Sequence, residues 1–369
     1  MAQDERNRLA DKVSALKIRE KTACVGLDGF VDRVLRVVRK RIDKAQISYI
    51  NTLDEYGREL INAAGLSLNV EMIPQSIKFG GNGPIMAYAM ASLGNQVNCL
   101  GAFGKNGIDE VFHPLKEKAA LYSFAEPANT DAIEFDDGKV IASILTSMNE
   151  LSWEQIVDAI GMDQLLKLFE EADLIAMNNW TMLPGMNDIW RHCRKEILPN
   201  ISRKDRILFF DLADPAKRTE EDLLTALYQL TRFQEWGEVV VSCNLRETQQ
   251  IADVLGLNLK NNSCEELCTR IRAELGIGCY TLHVLKAAYA ATKSGCKAAP
   301  GYYTKVPRLS VGGGDNFNAG LAVGLLGGMP IEEALRLGNA VSGYYVRNGA
   351  SPTLEQAAEF IRTMETTVP

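Results

Sequence analysis

The stretch Val311-Gly312-Gly313-Gly314-Asp315-Asn316-Phe317-Asn318-Ala319-Gly320 joins a glycine-rich loop to an acid at the head of an apolar helix. Three consecutive glycines allow φ > 0 and leave bare N–H groups. These converge with the free donors and positive dipole end of the following helix, so the segment reads as an anion site. A carboxylate in the mouth of a plain anion site would repel its ligand. It fits there as the acceptor of a proton from an attacking hydroxyl, and the combination points to phosphoryl transfer to an alcohol. The competing reading is a tight turn followed by a helix that Asp315 caps.

Outward from this loop the chain alternates short apolar strands with amphipathic helices. Strands are expected at Thr22–Gly26, Val97–Phe103, Leu174–Met177, Ile207–Asp211, Val239–Cys243 and Thr281–Leu285, with helices such as Pro84–Leu93 and Glu220–Thr231 between them. Such alternation predicts an α/β fold with a mainly parallel sheet covered by helices on both faces. Ligands of these sheets bind at the carboxyl ends of the strands. Polar residues recur at those ends: Asp28 and Asp32, Asn178 and Asn179, Asp211 and Asp214, Asn244 and Glu247. Any one of them alone is a common cap or turn former. Two segments break the alternation. Val37–Pro74 is long and charged, with a helix expected over Asp54–Ala64. Thr130–Leu145 reads as a hairpin turning at Asp137-Gly138. Together they suit a lid over the site, the alternative being ordinary surface insertions.

Composition narrows the class. A 369-residue chain that is 46% hydrophobic can bury a large core, and a net charge of −7 argues against an electrostatic nucleic-acid partner. The polar, mixed-charge stretch from Met1 to Lys21 is unlike a signal or transit peptide, and no apolar run reaches the length of a membrane span, so the cytoplasm is the default expectation. The eight cysteines fall mostly in apolar segments, and the close pair Cys264 and Cys268 lacks a second ligand pair. The three histidines, His113, His192 and His283, share no metal spacing. A structural metal therefore has little support, which leaves room for a transient Mg²⁺.

From about Thr22 to about Pro352 the chain resembles the ribokinase-like (phosphofructokinase-B type) carbohydrate kinases. Gly312-Gly313-Gly314-Asp315, then Phe317 and Ala319-Gly320, is similar to that family's Gly-Ala-Gly-Asp signature. Gly80-Gly81-Asn82-Gly83-Pro84, running into Ala87, Ser92-Leu93-Gly94 and Gly101 to Gly107, resembles its earlier signature. Asn244-Leu245-Arg246-Glu247 resembles its Asn-x-x-Glu motif. The resemblance implies one three-layer α/β/α domain over residues 1–369, mainly parallel, with a small β-containing lid from about 30–79 and 122–147. It implies an ATP- and Mg²⁺-dependent kinase acting on a hydroxyl of a sugar or sugar-like molecule. Asp315 would be the general base, and the amides of Gly312, Gly313, Gly314 and Asp315 would stabilise the transferred phosphoryl group. Asn244 and Glu247 would organise Mg²⁺ through water near the triphosphate. Asp32, with Gly80, Gly81 and Asn82, would bind the sugar, and Asn339 lies at a position near the nucleotide base. Lid sheets of this size leave an apolar face, which predicts a homodimer through the lids.

The chain also departs from the pattern. Leu309-Ser310-Val311 replaces Asp-Thr-Thr before the loop, and His283-Val284-Leu285 replaces Thr-Leu-Gly, so nucleotide contacts are expected to differ. The frequent asparagine of the Gly-Gly motif falls on Ile85, with Asn82 a replacement. Arg33, Arg36 and Lys78 lie near the expected pocket and are read as solvated cations or as contacts to a phosphorylated sugar. Two other classes fit less well. One is a non-catalytic sugar- or nucleotide-binding regulator on the same fold. The other is a nicotinamide oxidoreductase, for which Val25-Gly26-Leu27-Asp28-Gly29 lacks a third glycine.

Overall fold

The computed structural model describes residues 3–44, 46–259, 262–309 and 311–367. The main sheet has nine strands: β1 (Thr22–Gly26), β5 (Gln96–Gly101), β6 (Ala120–Ser123), β9 (Leu174–Asn178), β10 (Ile207–Asp211), β11 (Glu238–Asn244), β12 (Cys279–Val284), β13 (Ala287–Thr292) and β14 (Gly295–Pro300). Their spatial order is β14-β13-β12-β11-β10-β9-β1-β5-β6. Every pairing from β12 to β6 is parallel, and β13 and β14 extend the sheet antiparallel. The central strands carry near-continuous apolar sequence because helices cover both faces, and all five residues of β9 are buried. One apolar core lies on each side of the sheet.

The second sheet comprises β2 (Phe30–Arg41), β3 (Ile47–Tyr49), β4 (Met72–Gly80), β7 (Ala128–Phe135) and β8 (Gly138–Ile144). Its β2 pairs with β4 and β3 antiparallel and with β7 in parallel, while β8 pairs with β7. One face packs Leu35, Val37, Ile133 and Phe135 against Ile50 and Tyr56, the latter on the Leu53–Asn62 helix. The register puts Asp32, Thr130 and Ser143 in one row and Val34, Ala132 and Ile141 in another on the opposite face. All of β8 is exposed.

The expected parallel strands are present within two residues at each end. Thr281–Leu285 is shifted, because Leu285 and Lys286 form the turn between β12 and β13 and Leu285 is exposed. The hairpin turns one residue early, at Asp136-Asp137, and Gly138 already pairs with Phe135. The reason is tertiary. Asp137 Oδ1 accepts from the Leu53 amide at 2.9 Å, and a Cβ on Gly138 would stand 2.7 Å from Leu53 Cδ1. The helix expected over Asp54–Ala64 runs Leu53–Asn62, capped by Thr52. Residues 122–123 belong to β6 of the main sheet rather than to the second sheet.

Two helices near the C-terminus frame the glycine loop: Gly313–Leu326 and Ile331–Asn348. They pack at close backbone range. A Cβ on Gly320 would lie 2.9 Å from Gly338 Cα, and one on Gly324 would lie 2.8 Å from Ala334 Cα. Small residues on both partners make this approach sterically available.

Candidate active site

The carboxyl edge of the main sheet gathers four acids. Asp28 follows β1, Asp211 ends β10, Glu247 lies in the first turn after β11, and Asp315 opens the helix after the glycine loop. All four are buried. Burying carboxylates raises their pKa unless donors or cations compensate, and like charges nearby raise it further.

Asp28 is the best compensated. Its carboxylate accepts from the backbone amides of Asn82 (2.9 Å) and Gly83 (2.9 Å) and from Asn179 Nδ2 (2.6 Å). Burial nonetheless pushes it up to about 6. These bonds fix the start of the Asn82–Leu93 helix. Gly81 has φ 101° there, and a Cβ on it would stand 2.8 Å from Asp28 Oδ2, so both backbone and carboxylate require a glycine.

Asp211 accepts from Asn318 Nδ2 at 2.7 Å and the Ala213 amide at 2.8 Å, and burial raises its pKa. Glu247 closes a capping box with Asn244. The Asn244 amide donates to Glu247 Oε2 (2.8 Å), Asn244 Nδ2 donates to Oε1 (2.6 Å), and the Glu247 amide donates to Asn244 Oδ1 (3.0 Å). Burial, then the charges of Asp211 and Asp214, push Glu247 up to about 8. The motif is thus a helix cap set in an acidic surrounding that favours the protonated glutamate.

Asp315 is held well above the usual carboxylate range by burial and by the charges of Asp211 and Asp28. The Asn82 side chain acts against this rise, and against that of Asp211. Its Oδ1 is buried with no partner among the described residues. Gly312 caps the helix in the left-handed region (φ 87°), and Gly313 and Gly314 line a cleft of about 810 Å³. Asn244, His283, Phe317 and Asn339 line the same cleft. The amide of Asn339 is committed to structure, donating to the carbonyls of Ala299 and Pro300 at 3.1 Å each.

Asp32 stands apart from this cluster, half-buried on the second sheet beside Lys78 and Thr130. Burial raises its pKa, against the opposing influence of Lys78 and a bond from Thr130. Gly80 leaves it room, since a Cβ there would lie 2.1 Å from Asp32 Oδ2. Arg33 and Arg36 are already engaged. Arg33 makes a bidentate pair with Asp131 (2.6 and 3.0 Å), and Arg36 donates to Asn51 and lies 4.8 Å over the Tyr49 ring. Of Leu309-Ser310-Val311, Ser310 lies outside the described residues.

Three residues of the site were not assigned from sequence. Asp28 could be seen only as a polar strand end, because its partners lie 54 to 151 positions away. His283 packs its ring 5.0 Å from Phe317 and borders Gly314, and burial lowers it to about 4, so it is neutral. Tyr345, from the Ile331–Asn348 helix, touches the loop through a hydroxyl bond to the Val311 carbonyl. No short motif contains it.

Among the described residues no group of three or more His, Cys, Asp or Glu side chains is arranged to hold a metal, and no helix is long and apolar enough to cross a membrane.

Comparison with known proteins agrees with this geometry. The family model for prokaryotic ketohexokinase matches residues 4–364. A ketohexokinase of Haloferax volcanii is 29% identical over 340 residues, covering 91% of this chain and 89% of that protein. Among solved structures, ribokinase from Thermotoga maritima superposes with a TM-score of 0.62 at 18% identity, covering 93% of this chain and 99% of that one. Ribokinase of Arabidopsis thaliana, complexed with ribose and ATP, gives 0.64 at 14%, with 93% and 99% covered. At such identities these two likenesses speak to the fold alone, which is the ribokinase-like α/β fold expected from the glycine motifs. With an acid at the mouth of a glycine-rich anion loop and a family match over nearly its whole length, the chain belongs to the prokaryotic ketohexokinase family and is a sugar kinase.

Proposed function

We propose that the protein transfers the γ-phosphoryl group of ATP, with Mg²⁺, to a hydroxyl of a ketohexose. The observation that carries this reading is Asp315, whose buried Oδ1 and the amides of the three glycines before it find no partner among the described residues. In the ionised form it takes the proton of the sugar hydroxyl as the oxygen attacks phosphorus. The amides of Gly312 to Asp315 and the positive end of their helix then receive charge on the phosphoryl oxygens. Asp32 binds sugar hydroxyls with Gly80, Gly81 and Asn82 beneath them, and Asn339 forms part of the wall for the nucleotide base.

Glu247 and Asn244 fit a hydrated Mg²⁺ better than a protein cage. Among the described residues Glu247 has no cationic partner while facing Asp211 and Asp214, and a hydrated ion would relieve that repulsion through water. When bound, the ion neutralises charge on the triphosphate.

The second sheet is read as a lid that excludes water from the phosphoryl group, inserted in a single catalytic domain. On the face that carries Asp32, Ile141 is 58% exposed beside Val34 and Ala132, and a second copy would cover it, giving a homodimer through the lids. The eight cysteines are unpaired, as suits a cytoplasmic enzyme.

The test is an ADP-release screen with D-fructose and other ketohexoses against aldohexoses, ribose, nucleosides and sugar phosphates. Turnover confined to ketohexoses is expected. Equal turnover with ribose or nucleosides would remove the ketose assignment.

A further inference from the structure

The anion loop is held by Asn316 Nδ2, which donates to the Gly312 carbonyl at 2.9 Å, and from the neighbouring helix by Tyr345. Tyr345 is 8% exposed, and its hydroxyl donates to the Val311 carbonyl at 2.9 Å. The same oxygen lies 2.8 Å from where a Cβ on Gly312 would stand, nearer than the Ile85 side chain at 3.3 Å, so this phenol walls Gly312. The close packing of the two helices through Gly320, Gly324, Ala334 and Gly338 delivers Tyr345 to that position. Burial, and then the charges of Asp315 and Asp32, push the phenol up to about 12. It is therefore a neutral donor at working pH, close to both the base and the sugar-binding acid, and does not shuttle protons.

What the bond does follows from peptide geometry. The Val311–Gly312 peptide is trans, so its carbonyl and N–H point in opposite directions within one plane. A carbonyl held toward Tyr345 fixes the Gly312 N–H away from it, and that N–H finds no acceptor among the described residues. Glycine alone would let this plane rotate, since it tolerates either sign of φ. We propose that Tyr345 is a positioning residue for phosphoryl transfer: by holding the Val311 carbonyl it orients the Gly312 amide as the first donor to the transferring phosphoryl group. The inference rests on reading the glycine loop as the phosphoryl-binding element.

Tyr345→Phe keeps the ring and removes the hydroxyl. It is expected to lower kcat by about 10- to 100-fold, short of or near the loss of one oxyanion donor, with KM for ATP and sugar within about twofold of wild type. Calorimetry supplies a readout that packing alone would not move. Affinity for ADP with aluminium fluoride and D-fructose, a mimic of the transition state, should fall by the same factor, while ADP alone and fructose alone bind as in wild type. Gly312→Ala attacks the same contact from the loop side and should give the same split. Combined with Tyr345→Phe it should cost less than the product of the two single losses. An unchanged kcat in Tyr345→Phe, or a loss confined to either KM, overturns the proposal. If Asp315→Asn lowers kcat by about 10²-fold or more while Tyr345→Phe leaves it unchanged, only this inference fails. If wild type releases no ADP with any sugar, the underlying reading fails with it.

Discussion

The two sheets follow one another through the short link 27–29 between β1 and β2 but are built differently. In the main sheet all of β9 and nearly all of β1 and β10 are buried, with apolar packing on both faces. In the second sheet β8 has no buried residue, and a single helix covers one face. A core of the first kind can hold four carboxylates out of water, because the cost of each is spread over a large packed interior. A sheet of the second kind has little stability to spare and is suited to opening, closing and pairing. The proposed function accordingly puts the chemistry on the well-packed sheet and leaves substrate enclosure to the sparsely packed one.

The strongest way to break this division is to neutralise the base. Asp315→Asn is expected to lower kcat by about 10²- to 10⁴-fold while leaving nucleotide affinity within a few-fold, as measured by steady-state kinetics and calorimetry. Since the native carboxyl is buried beside Asp211 and Asp28, the same change should raise the thermal midpoint. Turnover close to wild type would move the base elsewhere.

Next in size is the lid's own acid. Asp32→Asn should raise the sugar KM by about 10- to 100-fold with a smaller change in kcat and none in ADP affinity, if the residue binds the sugar from the second sheet as proposed. A loss carried by kcat alone would place Asp32 with the reacting atoms instead.

A smaller effect distinguishes the sheets by their motion. Saturating fructose with a non-hydrolysable ATP analogue should slow hydrogen exchange in β2, β7 and β8 by about tenfold and leave β9 and β10 unchanged. Ile141→Lys should shift the protein toward monomer in sedimentation. A wild-type monomer with unaltered lid exchange would remove both the closing lid and its pairing.

The smallest is a pH effect on stability. Glu247 titrates near 8 in the folded chain against 4.5 as its ordinary value, so the native state holds a proton that the unfolded chain has released. Its contribution is full below about pH 4.5 and is lost as pH rises through about 8. From pH 5 to pH 8 the thermal midpoint of wild type should therefore fall by roughly 2–4 °C more than that of Glu247→Gln, measured by calorimetry without Mg²⁺. Parallel curves would mean that Glu247 is ionised in the fold.

The contrast also governs what could be read from the residues alone. Thr22–Gly26 and Ile207–Asp211 were legible to the residue, because a strand buried on both faces is a continuous apolar run. The β2 and β4 strands carry Arg33, Arg36, Gln75 and Lys78 among their apolar residues and were not expected as strands, the charged insertion having been read only over Val37–Pro74. The β13 strand is two-thirds alanine, and β14 carries two alanines with Gly, Lys and Pro, all residues of weak strand preference, and both went unseen. At the site, the glycine loop, Asp315 and the Asn244–Glu247 pair announce themselves through short spacing. Asp28 and Tyr345 do not, since each acts through partners brought near only by the fold.

The meeting of Gly324 with Ala334 and of Gly320 with Gly338 leaves no slack between two helices, one of which begins at the catalytic loop. Gly324 is nine residues along that helix from Asp315, about 14 Å away. A bulky side chain there would act as a wedge, tilting the helix so that its far end swings. A random screen for inactive but soluble variants should therefore return changes at Gly324 and Gly338 as well as at the acids, marking a mechanically sensitive seam remote from any ligand.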